Sequence, residues 1–335
     1  MEGSNPFALW EENPENIFGR KEEGRLFKVF VNATISKQPG VINITGIPGY
    51  GKSSLLRYFK HLAEKGGLHA PLVKAEKGEN FETLVDKLYH EIIVLENVPL
   101  GQRTPINFKE LVDVGLDKQH FGIIFLIDDI DNMKKAEEVI VELVYVAKIL
   151  WKKKSISFVI TSTKEFQIKS EVVSNIILKP FSEHDAKEYV EKTLKDKELK
   201  IGEECLRSIM ADTGGNQKLF KNVCRFIYDR LRDNEKIMTK GHYLAYLPYI
   251  MSMLSRESFG RMYQEVPAAE RDILRVLAKD EIHISDVAKE LKKPLGPITA
   301  LTKRLLERGQ IIKVERGRYK IFSKLYARYV IQRSQ

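Results

Sequence analysis

Eight consecutive residues, Gly46-Ile47-Pro48-Gly49-Tyr50-Gly51-Lys52-Ser53, have the types and spacing to hold a phosphate. They fit G-x-x-x-x-G-K-[ST] at every fixed position. The glycines let the backbone curl so that several N–H groups point at one anion. A helix beginning near Lys52 adds its positive N-terminal end. In this arrangement Lys52 reaches the β- and γ-phosphates of a nucleotide, and the Ser53 hydroxyl ligates Mg²⁺, with Ser54 beside it in the same turn.

A nucleotide hydrolase also needs carboxylates. The apolar run Phe121–Ile127 ends in Asp128-Asp129-Ile130-Asp131, the hhhhD[DE] form of a Walker B strand. Asp128 is expected to hold Mg²⁺, largely through water, and Asp129 to orient or deprotonate the attacking water. A third run, Ile156–Ile160, ends in Thr161-Ser162-Thr163. Thr161 and Ser162 are candidate sensors of the γ-phosphate, although hydroxyls at strand ends also satisfy local backbone groups.

These groups need elements to position them. The run Val41–Thr45 reads as a buried strand, and Ser54–Leu62 has helical apolar spacing. Further strands are expected over 70–75, 122–127, 156–161 and 175–178. Helices are expected near 22–33, 52–65, 80–96, 106–118, 133–150 and 182–195. This alternation predicts a parallel sheet covered on both faces, with the third strand between the other two as in additional-strand P-loop ATPases. From about residue 182 the strands are expected to stop. Helices over 203–211, 216–233 and 238–254 then make 182–262 an all-α lid. The segment 97–109 reads as an inserted loop of no assigned role.

After Pro267 the texture changes again. Helices over 267–279 and from Ser285 as cap, a turn at Pro294 and Pro297, a third helix ending at Gly309, and strands 311–314 and 319–322 predict a winged helix-turn-helix. The expected boundaries are 1–181 for the P-loop core, 182–262 for the lid and 263–335 for the winged helix.

The chain carries a net charge of +9 over 335 residues. Residues 266–335 hold 16 Lys and Arg against 8 Asp and Glu, whereas the rest holds 39 against 38. Nearly all the excess is C-terminal, which points to an acidic partner for that segment. Thr299, Thr302, Lys303 and Arg304 are expected on the exposed face of the third helix, and Arg316 and Arg318 at the wing tip. Lys289, Lys292 and Lys293 are placed to reach backbone phosphates of double-stranded DNA. Five such contacts predict a salt slope of roughly −4.5 in log K. A protein-interaction role for the same module stays open.

No apolar run approaches the length of a membrane span, and the N-terminus lacks the pattern of a signal peptide. Cys205 and Cys224 have no metal-binding or redox spacing, which fits a reduced, cytoplasmic setting.

The order of these parts resembles archaeal P-loop ATPases of the AAA+/STAND group, relatives of initiator (origin-recognition-like) ATPases. The resemblance implies ATP/ADP and Mg²⁺ as ligands and a homo-oligomer on ATP binding. It implies that Phe18 and Arg20, in Phe18-Gly19-Arg20, lie against the adenine. It makes Thr213-Gly214-Gly215-Asn216-Gln217 similar to a Gly-Gly-Asn-Pro lid motif with Gln217 in place of proline, and draws Asn216 and Lys218 toward the nucleotide. Where an initiator-type lid would offer a sensor arginine, this chain offers Lys218 and Lys221. Where STAND relatives end the third strand in Thr-Ser-Arg, this chain has Thr161-Ser162-Thr163. No arginine lies between Asn132 and Thr163 to act as a finger. An arginine finger can supply about 10³–10⁵ in rate, so slow hydrolysis is expected unless Lys152–Lys154, a partner or DNA supplies the charge.

Two functions follow from this reading. One is an ATPase that couples nucleotide state to duplex DNA binding, with ATP closing the lid, in replication, a mobile element or genome maintenance. The other is an ADP-held STAND signalling switch whose winged helix contacts a protein partner.

Overall fold

The computed structural model describes residues 5–7, 17–96, 122–152, 155–166, 168–232 and 234–334. The expected helix over 106–118, the loop 97–109, and Lys153 and Lys154 lie outside the described residues. The chain forms two compact units, one of residues 13–46 and 51–178, the other of residues 1–12, 47–50 and 179–335.

The first unit alternates helix and strand. In order it contains α1 (Lys21–Ile35), β1 (Val41–Thr45), α2 (Lys52–Lys65), β2 (Leu72–Lys74), α3 (Phe81–Glu96), β3 (Ile123–Asp128), α4 (Ala136–Ile149), β4 (Ile156–Ser162) and β5 (Val173–Ile177). The strands form one parallel sheet in the order β2-β3-β4-β1-β5. β4 therefore lies between β1 and β3, as expected from the sequence. Every residue of β1, β3 and β4 is buried. Their sequences are rich in apolar residues on both faces because helices cover both faces. On one face Leu84 and Leu88 of α3 and Ile140 and Leu143 of α4 join Phe125, Phe158 and Ile160 in one core. Alternation sends Ile124, Leu126 and Val159 to the other face, where α2 packs on β3 and β4. Helix α1 adds to that layer through the Phe27 ring, stacked on Phe59 at 3.9 Å.

The second unit begins with α5 (Glu183–Thr193). Ser182 caps it in a reciprocal box with Asp185. Then come β6 (Lys200–Ile201), α6 (Glu203–Thr213), α7 (Gln217–Tyr228), β7 (Ile237–Met238), α8 (Lys240–Leu254) and α9 (Gly260–Gln264). The expectation that strands stop near 182 is corrected here, since β6 and β7 pair in parallel. Two residues per strand are too few to show periodicity in the sequence.

The remaining elements are α10 (Ala268–Leu277), β8 (Ile282–His283), α11 (Ile284–Glu290), α12 (Leu295–Glu307), β9 (Ile311–Glu315), β10 (Arg318–Ile321) and α13 (Lys324–Gln332). Three local expectations change. His283, not Ser285, caps α11, its side chain accepting from the Ser285 N–H. α12 starts at Leu295, two residues before Pro297. The expected two-stranded ribbon gains β8, giving an antiparallel order β8-β10-β9. Helix α13 was not foreseen. Ser323 caps it, and Leu325, Tyr326, Tyr329 and Val330 are its buried face.

Candidate functional site

Parallel sheets open their ligand crevices at the carboxyl ends of the strands. In the first unit β1, β3 and β4 all deliver their chemistry-bearing residues to that edge. The register pairs Ile44 with Thr161, Thr45 with Ser162 and Ile127 with Ile160. Thr161 therefore lies level with Asp128 on the neighbouring strand.

Gly46 leaves β1 with its N–H donating to the Ser162 carbonyl at 3.3 Å. Gly49 and Gly51 both have φ +88, a conformation that side chains strain to adopt. Gly51 caps α2, so the loop feeds directly into a helix N-terminus. Ser53 and Ser54 lie half-buried in the first turn, and Lys52 is buried. The Lys52 ammonium donates to the Gly46 carbonyl at 2.7 Å and to the Thr163 hydroxyl at 3.3 Å. Burial pushes the Lys52 amine below the usual lysine range, and the charges of Asp129, Asp131 and Asp128 pull it part of the way back.

The carboxylates are fixed from β4 and β2. Thr161 donates its hydroxyl to Asp128 Oδ1 at 2.5 Å and accepts the Asp129 N–H at 2.9 Å. Asp129 is left-handed at φ 52, an unusual conformation for a residue with a side chain. Its carboxylate pairs with Lys74 at 3.1 Å. The Lys74 amine is raised above its ordinary value, chiefly by that hydrogen bond. Asp131 turns inward and accepts the N–H groups of Thr163 and Lys164 at 2.9 and 3.3 Å. Of the two sensor candidates, Thr161 touches both carboxylate residues. Ser162 instead donates to the Lys164 carbonyl at 2.7 Å, a local backbone bond.

The sequence alone assigns no role to Lys74, Asp131 or Thr163. Asp131 and Thr163 lie inside the Asp128–Asp131 and Thr161–Thr163 motifs. Lys74 reaches the site only because β2 pairs with β3, placing Lys74 opposite Asp128.

Ahead of α1, Phe18 is half-buried and Arg20 is buried, with Glu23 3.5 Å from its guanidinium. Within the second unit, residues 47–50 meet the start of α7. Asn216 donates its amide to the Pro48 carbonyl at 2.8 Å, while its Oδ1 caps α7 by accepting the Leu219 N–H at 3.1 Å. The Lys218 N–H donates to the Gly49 carbonyl at 3.2 Å, and the Lys218 side chain is exposed. A Cβ on Gly49 would collide with the Asn216 amide. Lys221 lies 5.0 Å from the Tyr189 ring centre, and burial pushes its amine down to about 8.

The C-terminal residues expected to contact DNA divide into two groups. Lys289, Lys292, Lys293, Thr299, Lys303, Arg304, Arg316 and Arg318 are exposed. Thr302 does not join them, and its expected place on the exposed face is corrected. It is buried, with its hydroxyl donating to the Ile298 carbonyl at 2.8 Å, because it follows Ile298 by one turn and precedes buried Leu305. Several of the cations have carboxylate neighbours. Lys289 pairs with Asp286 at 3.0 Å, Lys293 with Asp272 at 3.3 Å and Arg318 with Glu315 at 3.0 Å. Lys303 lies 3.9 Å from Glu307. Arg304 and Arg308 approach the fully buried Glu270 at 4.0 and 3.4 Å.

Among the described residues no helix is long and apolar enough to cross a membrane. Residues 35–168 match the sequence model of the AAA domain family. No curated protein sequence matches the chain. Among solved structures, the Walker-type ATPase of Pyrococcus abyssi superposes with a TM-score of 0.72 at 18% identity, covering 98% of this chain and 99% of that one. The Orc1 protein of Aeropyrum pernix, solved in complex with DNA, gives 0.53 at 13% identity over 98% and 96%. Cdc6p of Pyrobaculum aerophilum gives 0.52 at 15% identity over 98% of both chains. At these identities the likeness is one of fold, and that fold is the α/β fold of P-loop NTPases.

Proposed function

We propose that the protein binds and hydrolyses ATP at the carboxyl edge of its sheet and couples nucleotide state to duplex DNA through its C-terminal segment. The observation that carries this reading is the convergence of Lys52, Asp128, Asp129 and Thr161 at one edge. Residues 1–181 act as the ATPase core, 182–262 as a lid and 263–335 as a winged helix-turn-helix.

The donor set suits a magnesium nucleotide. Gly49 and Gly51 at φ +88 let the loop curl as an anion-binding loop requires, and the buried Lys52 ammonium lies at its base on the Gly46 carbonyl. A serine hydroxyl and a carboxylate are the hard oxygen ligands that Mg²⁺ takes. When bound, Mg²⁺ neutralises charge on the β- and γ-phosphates. Ser53 and Asp128 are the residues to hold it, Asp128 through water. Lys52 gives up the Gly46 carbonyl and turns its ammonium to the phosphates. Asp129 orients the attacking water and accepts its proton. Thr161 positions both carboxylate residues, and Ser162 supports the strand end. Phe18 and Arg20 border the base, while Asn216 and Lys218 hold residues 48 and 49 of the loop.

For DNA, the exposed Lys289, Lys292, Lys293, Thr299, Lys303, Arg304, Arg316 and Arg318 supply the phosphate contacts. A homo-oligomer on ATP binding and a cytoplasmic setting complete the proposal. One observation favours the second reading, an ADP-held switch with a protein partner. Lys289, Lys293 and Arg318 already face carboxylates of their own chain. Steady-state ATP hydrolysis with and without duplex DNA at low salt separates the two. Stimulation by DNA supports the first; tightly held ADP with no DNA effect supports the second.

A further inference from the structure

Helix α4 covers one face of the sheet, and its outer face carries large apolar side chains. Val141 is 63% exposed, Tyr145 60% and Ile149 42%, and Trp151 follows just past the helix end. The three helical residues are spaced i, i+4, i+8, so they form one stripe. The inner face of the same helix, Val139, Ile140, Leu143, Val144, Val146 and Ala147, is buried. The stripe is therefore additional to what the core requires, and apolar side chains in a continuous exposed row mark interaction surfaces.

The charges beside the stripe are segregated. Glu142 lies on the N-terminal side of Tyr145 and Lys148 on its C-terminal side. Within the helix, Val141 and Ile149, and Glu142 and Lys148, are symmetric in number about Tyr145. If two copies of the helix cross antiparallel with Tyr145 on the two-fold axis, helical residue 145+k of one faces residue 145−k of the other. Val141 then meets Ile149, and Glu142 meets Lys148. Each apolar side chain finds an apolar one, and each of these charges finds its opposite. A parallel pairing places Glu142 and Lys148 each against its own copy, which is repulsive.

We propose that α4 is the isologous interface of a homodimer, with Tyr145 at its centre, formed without nucleotide. The occupant of the stripe is a second copy of this chain because the stripe's charge pattern is self-complementary only for an antiparallel copy. Lys148 also pairs with Glu171 at 3.2 Å within the chain. The pair is exposed, worth about 0–1 kcal/mol, and can exchange for a partner across the axis. One helix face and a tryptophan make a patch at the small end of the interface range, so the dimer is weak.

The test is sedimentation equilibrium of the full chain without nucleotide, from about 10 to 200 µM, the range for a weak interface. A concentration-dependent doubling of the 38.6 kDa mass is expected. Tyr145→Glu should leave the chain monomeric with a nearly unchanged thermal melt, because the side chain is 60% exposed. Glu142→Lys and Lys148→Glu should each be monomeric alone and dimerise when mixed. Val141→Cys mixed with Ile149→Cys should cross-link on oxidation, whereas either alone should not; native Cys205 and Cys224 are buried. A monomer at every concentration, or a dimer that survives Tyr145→Glu, overturns the interface. Cross-linking by Val141→Cys alone overturns the antiparallel arrangement.

Discussion

Asp129, the carboxylate assigned to the attacking water, is held by the Lys74 ammonium 3.1 Å away, at the adjacent ends of β3 and β2. The pair is unequally exposed, Lys74 at 63% and Asp129 at 25%. An ion pair open to solvent on one side contributes about 0–1 kcal/mol. That is enough to bias the carboxylate toward the lysine, and small enough to be given up. Lys74→Met should therefore raise basal ATP turnover, by up to about fivefold for 1 kcal/mol released. Single-turnover hydrolysis measures it. A fall in rate with unchanged nucleotide affinity would mean that Lys74 assists the chemistry instead of restraining Asp129.

Lys52 and Asp129 should separate binding from turnover. Lys52→Ala removes a charge-assisted contact to phosphate, worth about 1.5–3 kcal/mol, and should weaken ATP binding roughly tenfold to a hundredfold. Asp129→Asn keeps the shape and loses the base; ATP should bind as before while turnover falls by about 10²–10⁴. Because burial lowers the Lys52 amine, its charged form is lost at a lower pH than that of an ordinary lysine as pH rises. Affinity for ATP should decline across that window, and titration of a fluorescent nucleotide at several pH values reads it. Lys52→Arg, which stays charged, should flatten the profile.

Thr161 ties the two aspartates together, one through its carboxylate and the other through its backbone N–H. Its hydroxyl is buried, donates to Asp128 and accepts from the Asp129 N–H. Thr161→Val leaves both without that partner and should destabilise the fold by about 1–3 kcal/mol. It should also raise the Mg²⁺ concentration needed for half-maximal hydrolysis. Thr161→Ser restores the hydroxyl and should recover both. A valine variant with unchanged magnesium dependence would reduce Thr161 to a packing residue.

The residues that chemistry fixes at set spacing were legible in the sequence. The glycines and Lys52 must be contiguous to wrap a phosphate, and Asp128-Asp129 must end a strand to reach it. The order of β1, β4 and β3 followed from the same motifs. Contacts made by pairing between distant segments were not legible. Lys74 meets Asp129 only through strand pairing, and nothing in its neighbours marks it. Thr302 was misplaced because the helical face of a threonine is ambiguous; it is as compatible with a buried hydroxyl bonded one turn back as with solvent. The pair β6–β7 is too short to carry a pattern, and α13 is a nine-residue helix with a single buried stripe that follows directly on β10.

Asn216 has two duties that substitution can separate. Its Oδ1 caps α7, and its amide holds the Pro48 carbonyl. Asn216→Ala loses both and should cost about 1 kcal/mol or more from the cap alone. Asn216→Asp keeps an acceptor for the cap but has no amide hydrogen to give Pro48. Its melting temperature should stay near that of the native chain while nucleotide dissociation changes. Equal loss of stability in the two variants would assign the main effect to the loop bond.

The DNA reading turns on the β9–β10 turn. Arg316 is exposed at its tip, and Arg318 is tied to Glu315 at 3.0 Å. If both arginines contact phosphates, Arg316→Ala/Arg318→Ala should weaken duplex binding and make the salt slope shallower by about 1.8, at roughly 0.9 per contact. The loss should be similar for unrelated sequences, because phosphate contacts carry no base information. Glu315 competes for Arg318 in the free protein, so Glu315→Ala should strengthen binding modestly and leave the slope contributed by Arg316 intact. Fluorescence anisotropy of a labelled duplex over a series of salt concentrations measures all three variants. An unchanged slope in the double variant would remove this turn from any DNA interface and leave it available for a protein partner.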